Sequence, residues 1–229
     1  MPTRDATELD RLALVERLTA QDWIDEPFVG FGSAERVRRE SPIWPGEGVP
    51  CTLVDRIETA RRDIWQVELV VAGEGGAERR VPVGIVFDRT GEDARARIYY
   101  NKSIFGSDEP RRPVVALEGE PLPALLEGYS RAIRAGDAAA LSALVHPDAE
   151  IFGPPGRVSG AAFVEAVCGP QRVGTPGVPL QICSVTARGD TYAVEFISWR
   201  RPPHAGLGVY RFDDGLLVAA RLYEGPVRR

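Results

Sequence analysis

Histidine and cysteine are scarce in this chain, with two of the first and three of the second among 229 residues. The cysteines, Cys51, Cys168 and Cys183, show no CxxC spacing and no histidines cluster with them. Neither a zinc site nor a Cys–His nucleophile can be assembled from that inventory, and no metal is expected. An odd cysteine count behind a polar N-terminus without a secretory signal points to unpaired thiols in a reducing, cytoplasmic setting. No apolar run approaches the roughly 20 residues needed to cross a bilayer. A basic excess is also missing. The formal net charge of −5 leaves no electrostatic footprint for nucleic acid or an anionic membrane surface. The pairs Arg111-Arg112 and Arg200-Arg201 read as solvated loop residues. Gly153–Gly160 lacks the strand-loop-helix order of a phosphate cradle, so no nucleotide cofactor is implied.

What the chain does contain is a repeat. Asp63-Ile-Trp-Gln-Val-Glu-Leu69 returns as Asp190-Thr-Tyr-Ala-Val-Glu-Phe196, an offset of 127 residues. Gly48-Val-Pro50 and Gly177-Val-Pro179 precede the two copies. Gly84-Ile-Val-Phe-Asp88 and Gly208-Val-Tyr-Arg-Phe-Asp213 follow them, and the closing runs end in Ile98-Tyr-Tyr100 and Arg221-Leu-Tyr223. With 44% hydrophobic and 27% charged residues the composition is globular, and each half is long enough to bury a core.

Apolar spacing predicts helices over Thr7–Thr19 and Ser33–Glu40, then strands at Cys51–Glu58, Ile64–Val71, Arg80–Asp88 and Ala94–Asn101. Hairpin turns fall at Glu74–Ala77 and Arg89–Glu92. Four prolines between Asp108 and Pro123 mark a linker. In the second half, helices are expected over Leu122–Ala135, stopped by Gly136, and over Ala138–Val145, capped by Asp137. A strand follows His146, a short helix spans Ala161–Cys168, and strands lie at Leu180–Ala187, Thr191–Trp199, Gly206–Phe212 and Leu217–Glu224. In Thr191–Trp199 both faces are apolar, with Glu195 the single charge, so both faces should be covered. The economical arrangement puts helices over one face and the partner half over the other.

Tyr129-Ser-Arg-Ala-Ile-Arg-Ala-Gly-Asp137, His146-Pro-Asp-Ala-Glu-Ile-Phe-Gly-Pro-Pro-Gly156, Ser159-Gly-Ala-Ala-Phe163 and the closing Val209-Tyr-Arg-Phe-Asp-Asp-Gly215 resemble the nuclear transport factor 2-like superfamily. That group includes ketosteroid isomerase-like and SnoaL-like polyketide cyclase proteins. The resemblance covers about Pro121–Glu224, and Glu8–Asn101 mainly through the repeat. It implies an α+β fold of two tandem cone-shaped barrels, each a curved antiparallel sheet wrapped by helices, forming an intramolecular pseudo-dimer. The corresponding units are 1–104, a linker at 105–120, and 121–229. The fused chain is expected to be a monomer, each mouth sheltering a small hydrophobic substrate.

The superfamily's functional positions carry over only in part. Its general-base carboxylate falls on Gly153, and its protonated carboxyl donor on Gly208. In the first half the repeat offset restores a carboxylate, Glu26, at the base position, while the donor is again glycine, Gly84. Ketosteroid isomerisation itself is therefore disfavoured. Glu26 beside Trp23 and Phe28 would be a desolvated base, or else a solvated loop acid next to Asp25. Tyr129 matches the family's hydrogen-bond donor, or is a core tyrosine with its hydroxyl at the edge. Arg221 and Tyr223 share a strand face, which the closing hairpin of the resemblance points into the second cavity. There Arg221 would bind a carboxylate or enolate oxygen, or pair with Glu195. Trp65, Tyr100, Phe152 and Tyr210 complete the expected substrate-contacting aromatics. His146 should cap locally and His204 should sit exposed at a hairpin tip. The function implied is cofactor-independent acid/base chemistry on an oxygenated, polyketide-type metabolite, as a cyclase, isomerase, dehydratase or epoxide hydrolase. The alternative is a non-catalytic binder or scaffold.

Overall fold

The computed structural model describes residues 51–72, 78–88, 96–101, 121–153, 156–168, 180–198 and 204–224. The helices expected at 7–19 and 33–40, the turns at 74–77 and 89–92, and the linker at 105–120 lie outside them.

Alternating apolar residues bounded by glycine and turn signals give the first half a four-stranded antiparallel meander. Its strands are β1 (Cys51–Glu58), β2 (Arg62–Ala72), β3 (Glu78–Asp88) and β4 (Ala96–Tyr99), ordered β1-β2-β3-β4. The second half begins with α1 (Ala124–Ala135), which ends at Gly136, and α2 (Ala138–Ser142). Asp137 caps α2 by accepting the Ala140 amide at 2.9 Å. Then come β5 (Val145–Gly153), β6 (Gly156–Ser159), α3 (Gly160–Cys168), β7 (Leu180–Arg188), β8 (Thr191–Ser198), β9 (His204–Asp213) and β10 (Leu216–Glu224). They form a six-stranded sheet in the order β6-β5-β10-β9-β8-β7, with β10 parallel to β5.

Each half contains the same meander in the same register. Gln66 pairs with Gly84, and Ala193 with Val209; an offset of 127 carries the first residue across and one of 125 the second. The initial strands, β1 and β7, both carry a bulge. Because β3 and β9 differ by 125, Gly84 and Gly208, 124 apart, stand one residue out of step. Such a slip turns a side chain to the opposite face.

Both faces of β8 are buried, as the sequence requires. Tyr192 and Val194 join Leu126, Tyr129, Phe163 and Val164 of the helices in one cluster. Ala193 joins Ile57, Ile64, Val86 and Tyr99 of the first sheet in another. The six-stranded sheet is thus a middle layer between its helices and the four-stranded sheet. Gly84 marks a close approach of the sheets: a Cβ there would stand 2.5 Å from Leu207 Cδ2 and 3.0 Å from the Tyr223 ring.

Glu195 lies at the centre of this contact with its side chain 1% exposed. Arg97 holds it in a fork, Nε to Oε1 at 2.6 Å and Nη2 to Oε2 at 2.8 Å. The Tyr99 hydroxyl donates to Oε1 at 2.5 Å and the Ser184 hydroxyl to Oε2 at 2.6 Å. Burial alone would raise the carboxyl's pKa. The Arg97 charge and these hydrogen bonds outweigh it and hold the group below its ordinary range. In the reverse direction the Tyr223 hydroxyl donates to Gln66 Oε1 at 3.0 Å. The last strand of each meander therefore sends a tyrosine to the second strand of the other.

Glu195→Gln removes the charge and strands Arg97, and should cost about 3–5 kcal/mol at neutral pH in urea denaturation. A depressed folded pKa contributes stability above the unfolded glutamate value of about 4.3, lost as pH falls through the folded value. The gap between wild type and variant should accordingly narrow below about pH 4. A gap independent of pH would contradict the ionised state.

Candidate functional site in the helix-covered face

The helical face of the second sheet is the best-defined candidate site. Leu126, Tyr129, Ala132 and Ile133 fall at three- and four-residue spacing on α1 and face the sheet. The α3 start is fixed by Ser159, whose hydroxyl oxygen accepts the Ala162 amide at 3.2 Å, and Phe163 and Val164 complete the wall. Opposite stand Tyr192, Val194, Tyr210, Phe212 and Ala220. The Tyr129 and Tyr210 rings meet edge-on at 5.2 Å, and Tyr192 and Phe212 at 5.8 Å. Leu122, Leu125, Leu180, Ile182 and Leu222, only partly buried, form an apolar margin.

Gly208 explains the position of Tyr210. A Cβ at residue 208 would stand 2.3 Å from the Tyr210 hydroxyl oxygen, so the phenol occupies the volume a side chain there would fill. The position to which the resemblance assigns a carboxyl donor is thus empty of its own side chain and covered by the neighbouring tyrosine. Gly153 contributes no base. Among the described residues the buried charged groups are Asp63, Arg97 and Glu195, and none belongs to this cluster. The cluster sets buried, uncharged tyrosines in an apolar surround.

The other expected site residues separate into groups. Glu26, Trp23 and Phe28 lie outside the described residues. Arg221 and Tyr223 do share a face, but it is turned toward the first sheet, not toward the helical cluster where the resemblance places them. The reason is a bulge in β10 between Leu217 and Ala219. Simple alternation from the buried Leu217 would bring 221 and 223 inward; the bulge instead brings in Ala220 and Leu222. Glu195 is paired with Arg97, and Arg221 lies over the Phe152 ring at 5.7 Å from its centroid. Burial pushes the Tyr223 phenol above its ordinary pKa range, with the Arg221 charge and hydrogen bond opposing. Trp65 is buried beneath the Arg56 guanidinium, 4.8 Å from the ring centroid, and Arg56 also forks onto the buried Asp63. Tyr100 is buried just past β4. Gly84 packs on Leu207 and Tyr223, so it is no counterpart of a cavity donor.

His146 Nδ1 accepts the Asp148 amide at 3.2 Å, a local cap. His204 is not exposed at a tip: it opens β9 opposite Ser198 and is half-buried. Burial pushes the Cys183 thiol up to about 11, the Glu195 charge adding to the rise, so it is protonated at neutral pH. Burial likewise raises Cys168. No helix among the described residues is long and apolar enough to cross a membrane. Arg97, Tyr99 and Ser184 were not singled out by sequence. The available signal was the lone Glu195 on a strand apolar on both faces, which demanded a partner.

A family model described as SnoaL-like domain matches residues 126–220. Among solved structures, the chain is similar to an LEH-like epoxide hydrolase of M. tuberculosis, at 20% identity over 44% of this chain and 79% of that one (TM-score 0.39). Wild-type IdmH of Streptomyces antibioticus, a candidate polyketide cyclase, aligns at 18% identity over 44% and 88% (TM-score 0.38). A Catenulispora acidiphila protein with a ketosteroid isomerase-like fold aligns at 15% identity over 45% and 86% (TM-score 0.38). No curated protein matches the chain.

Gly208→Val should drive the Tyr210 phenol off Tyr129, costing about 1–3 kcal/mol and altering the near-ultraviolet dichroism of the tyrosines. An unchanged spectrum and stability would show that Tyr210 does not rest on residue 208.

Proposed function

We propose that the chain is a SnoaL-like protein of two tandem α+β units, 1–104 and 121–229 joined by 105–120, acting without a cofactor on a hydrophobic, oxygenated small molecule of polyketide type. The substrate oxygen is held by Tyr129 and Tyr210. The observation that carries this reading is the pair itself: two buried phenols brought edge to face, one of them accommodated by a glycine, in an apolar setting lined from α1, α3 and β8–β10. Hydrogen bonds from such groups strengthen as negative charge develops on oxygen and need no reorganisation. Cyclisation, isomerisation, dehydration or epoxide opening then requires a proton acceptor, the role assigned to Glu26 by the resemblance.

A second reading, a binder without turnover, is favoured by one observation: among the described residues the buried carboxylates, Asp63 and Glu195, are held by Arg56 and Arg97. The two readings are separated by mass spectrometry of small molecules carried through purification from the native host, followed by incubation with the recovered compound. The wild type should retain an oxygenated apolar ligand, and Tyr129→Phe/Tyr210→Phe should retain at least about tenfold less, as loss of charge-assisted hydrogen bonds implies. Under the enzymatic reading Glu26→Gln keeps the ligand and loses turnover; a compound returned unaltered by the wild type supports the binder. No ligand preference between wild type and the double variant would contradict both.

A further inference from the structure

Where β3 passes β10 the two sheets leave a cleft of about 140 Å³. Phe152, Leu222 and Tyr223 line it from the second sheet and Pro82 from the first, with Arg80 and Asn101 supplying its polar groups. Gly153 and Gly156, paired at the end of the β5–β6 hairpin, add surface without side chains. Apolar cavities of roughly 150 Å³ take up one benzene, so the space suits a single six-membered ring.

Its electrostatics specify more. Arg80 is 74% exposed and spends one donor on Glu68, Nη1 to Oε1 at 2.7 Å, while a guanidinium carries five. Arg221 lies over Phe152. Arg80 and Arg221 thus bring two guanidinium groups to the margin, with Glu68 and Asp55 the carboxylates that act on Tyr223. The Tyr223 hydroxyl is engaged with Gln66, so its ring, not its oxygen, is offered to an occupant.

We propose that this seam cleft is a binding site for a small monocyclic aromatic acid, its ring against Phe152, Pro82 and Tyr223 and its carboxylate on Arg80. Both sheets supply the lining, so an occupant stabilises their docked arrangement by mass action. Tyr223 stands on the face of β10 away from the Tyr129–Tyr210 cluster while Leu222 borders both, and the proposal does not depend on the function proposed above.

Benzoate and its neutral analogue benzamide, titrated calorimetrically into the full chain, provide the test. Benzoate should bind in the low-millimolar range or tighter, more strongly than benzamide, and should raise the melting temperature. Arg80→Gln, a change at an exposed side chain that leaves the fold intact, should weaken benzoate about fivefold and leave benzamide unaffected. Pro82→Trp, which fills the cleft, should remove both. Equal benzoate affinity in wild type and Arg80→Gln, or no binding of either compound to the wild type at millimolar concentration, would overturn the proposal.

Discussion

The buried Glu195 carboxylate organises the described structure. A charge taken out of water costs several kcal/mol even after relaxation, and this one is repaid only by groups brought to it: Arg97 and Tyr99 from the first half, Ser184 from β7. Two of those three partners reach it across the boundary between sheets. The contact therefore fixes more than proximity. A one-residue slip of β4 would turn Arg97 and Tyr99 to the far face and leave the acid unpaired, so the pair selects one register and one docking angle among many that would bury similar apolar area.

That selection reaches the candidate site. Because Glu195 and Ala193 are committed to the first sheet, Tyr192 and Val194 are left for the opposite side. On β9 the same division gives Leu207 and Val209 to the contact and Tyr210 and Phe212 to the helical cluster. The Glu195 charge has been drawn to the face toward the first sheet, and the helical face holds neutral tyrosines. Repetition is preserved in the ladders but not in the chemistry: Glu68, the repeat counterpart of Glu195, is partly exposed and pairs with the exposed Arg80.

Much of the architecture was legible from residues alone. Gly136-Asp137 marked the corner between α1 and α2, the Asp63 and Asp190 segments located β2 and β8, and the doubly apolar β8 announced a covered sheet. The orientation of the last strand was not legible. The resemblance of the closing hairpin assigns Arg221 and Tyr223 to the cavity, and a bulge between Leu217 and Ala219, which leaves no mark in a run of Leu, Val and Ala, turns them to the other face. The equivalence of Gly84 and Gly208 failed for a related reason: equal letters at offset 124 fall on ladders that repeat at 125. The partner of Glu195 escaped because an ion pair spanning about a hundred residues has no spacing to read. Tyr129 and Tyr210 were each nominated, but their meeting depends on how α1 crosses β9.

Native-state hydrogen exchange tests the central claim most directly, namely that Glu195 and its partners make the two sheets one cooperative unit. Amides of β2 and of β8 should exchange with a common opening free energy and a common denaturant dependence, because neither meander can open while the other keeps the buried charge satisfied. Exchange of β2 at a distinctly lower free energy, with β8 still protected, would show that the halves open independently and would contradict the account.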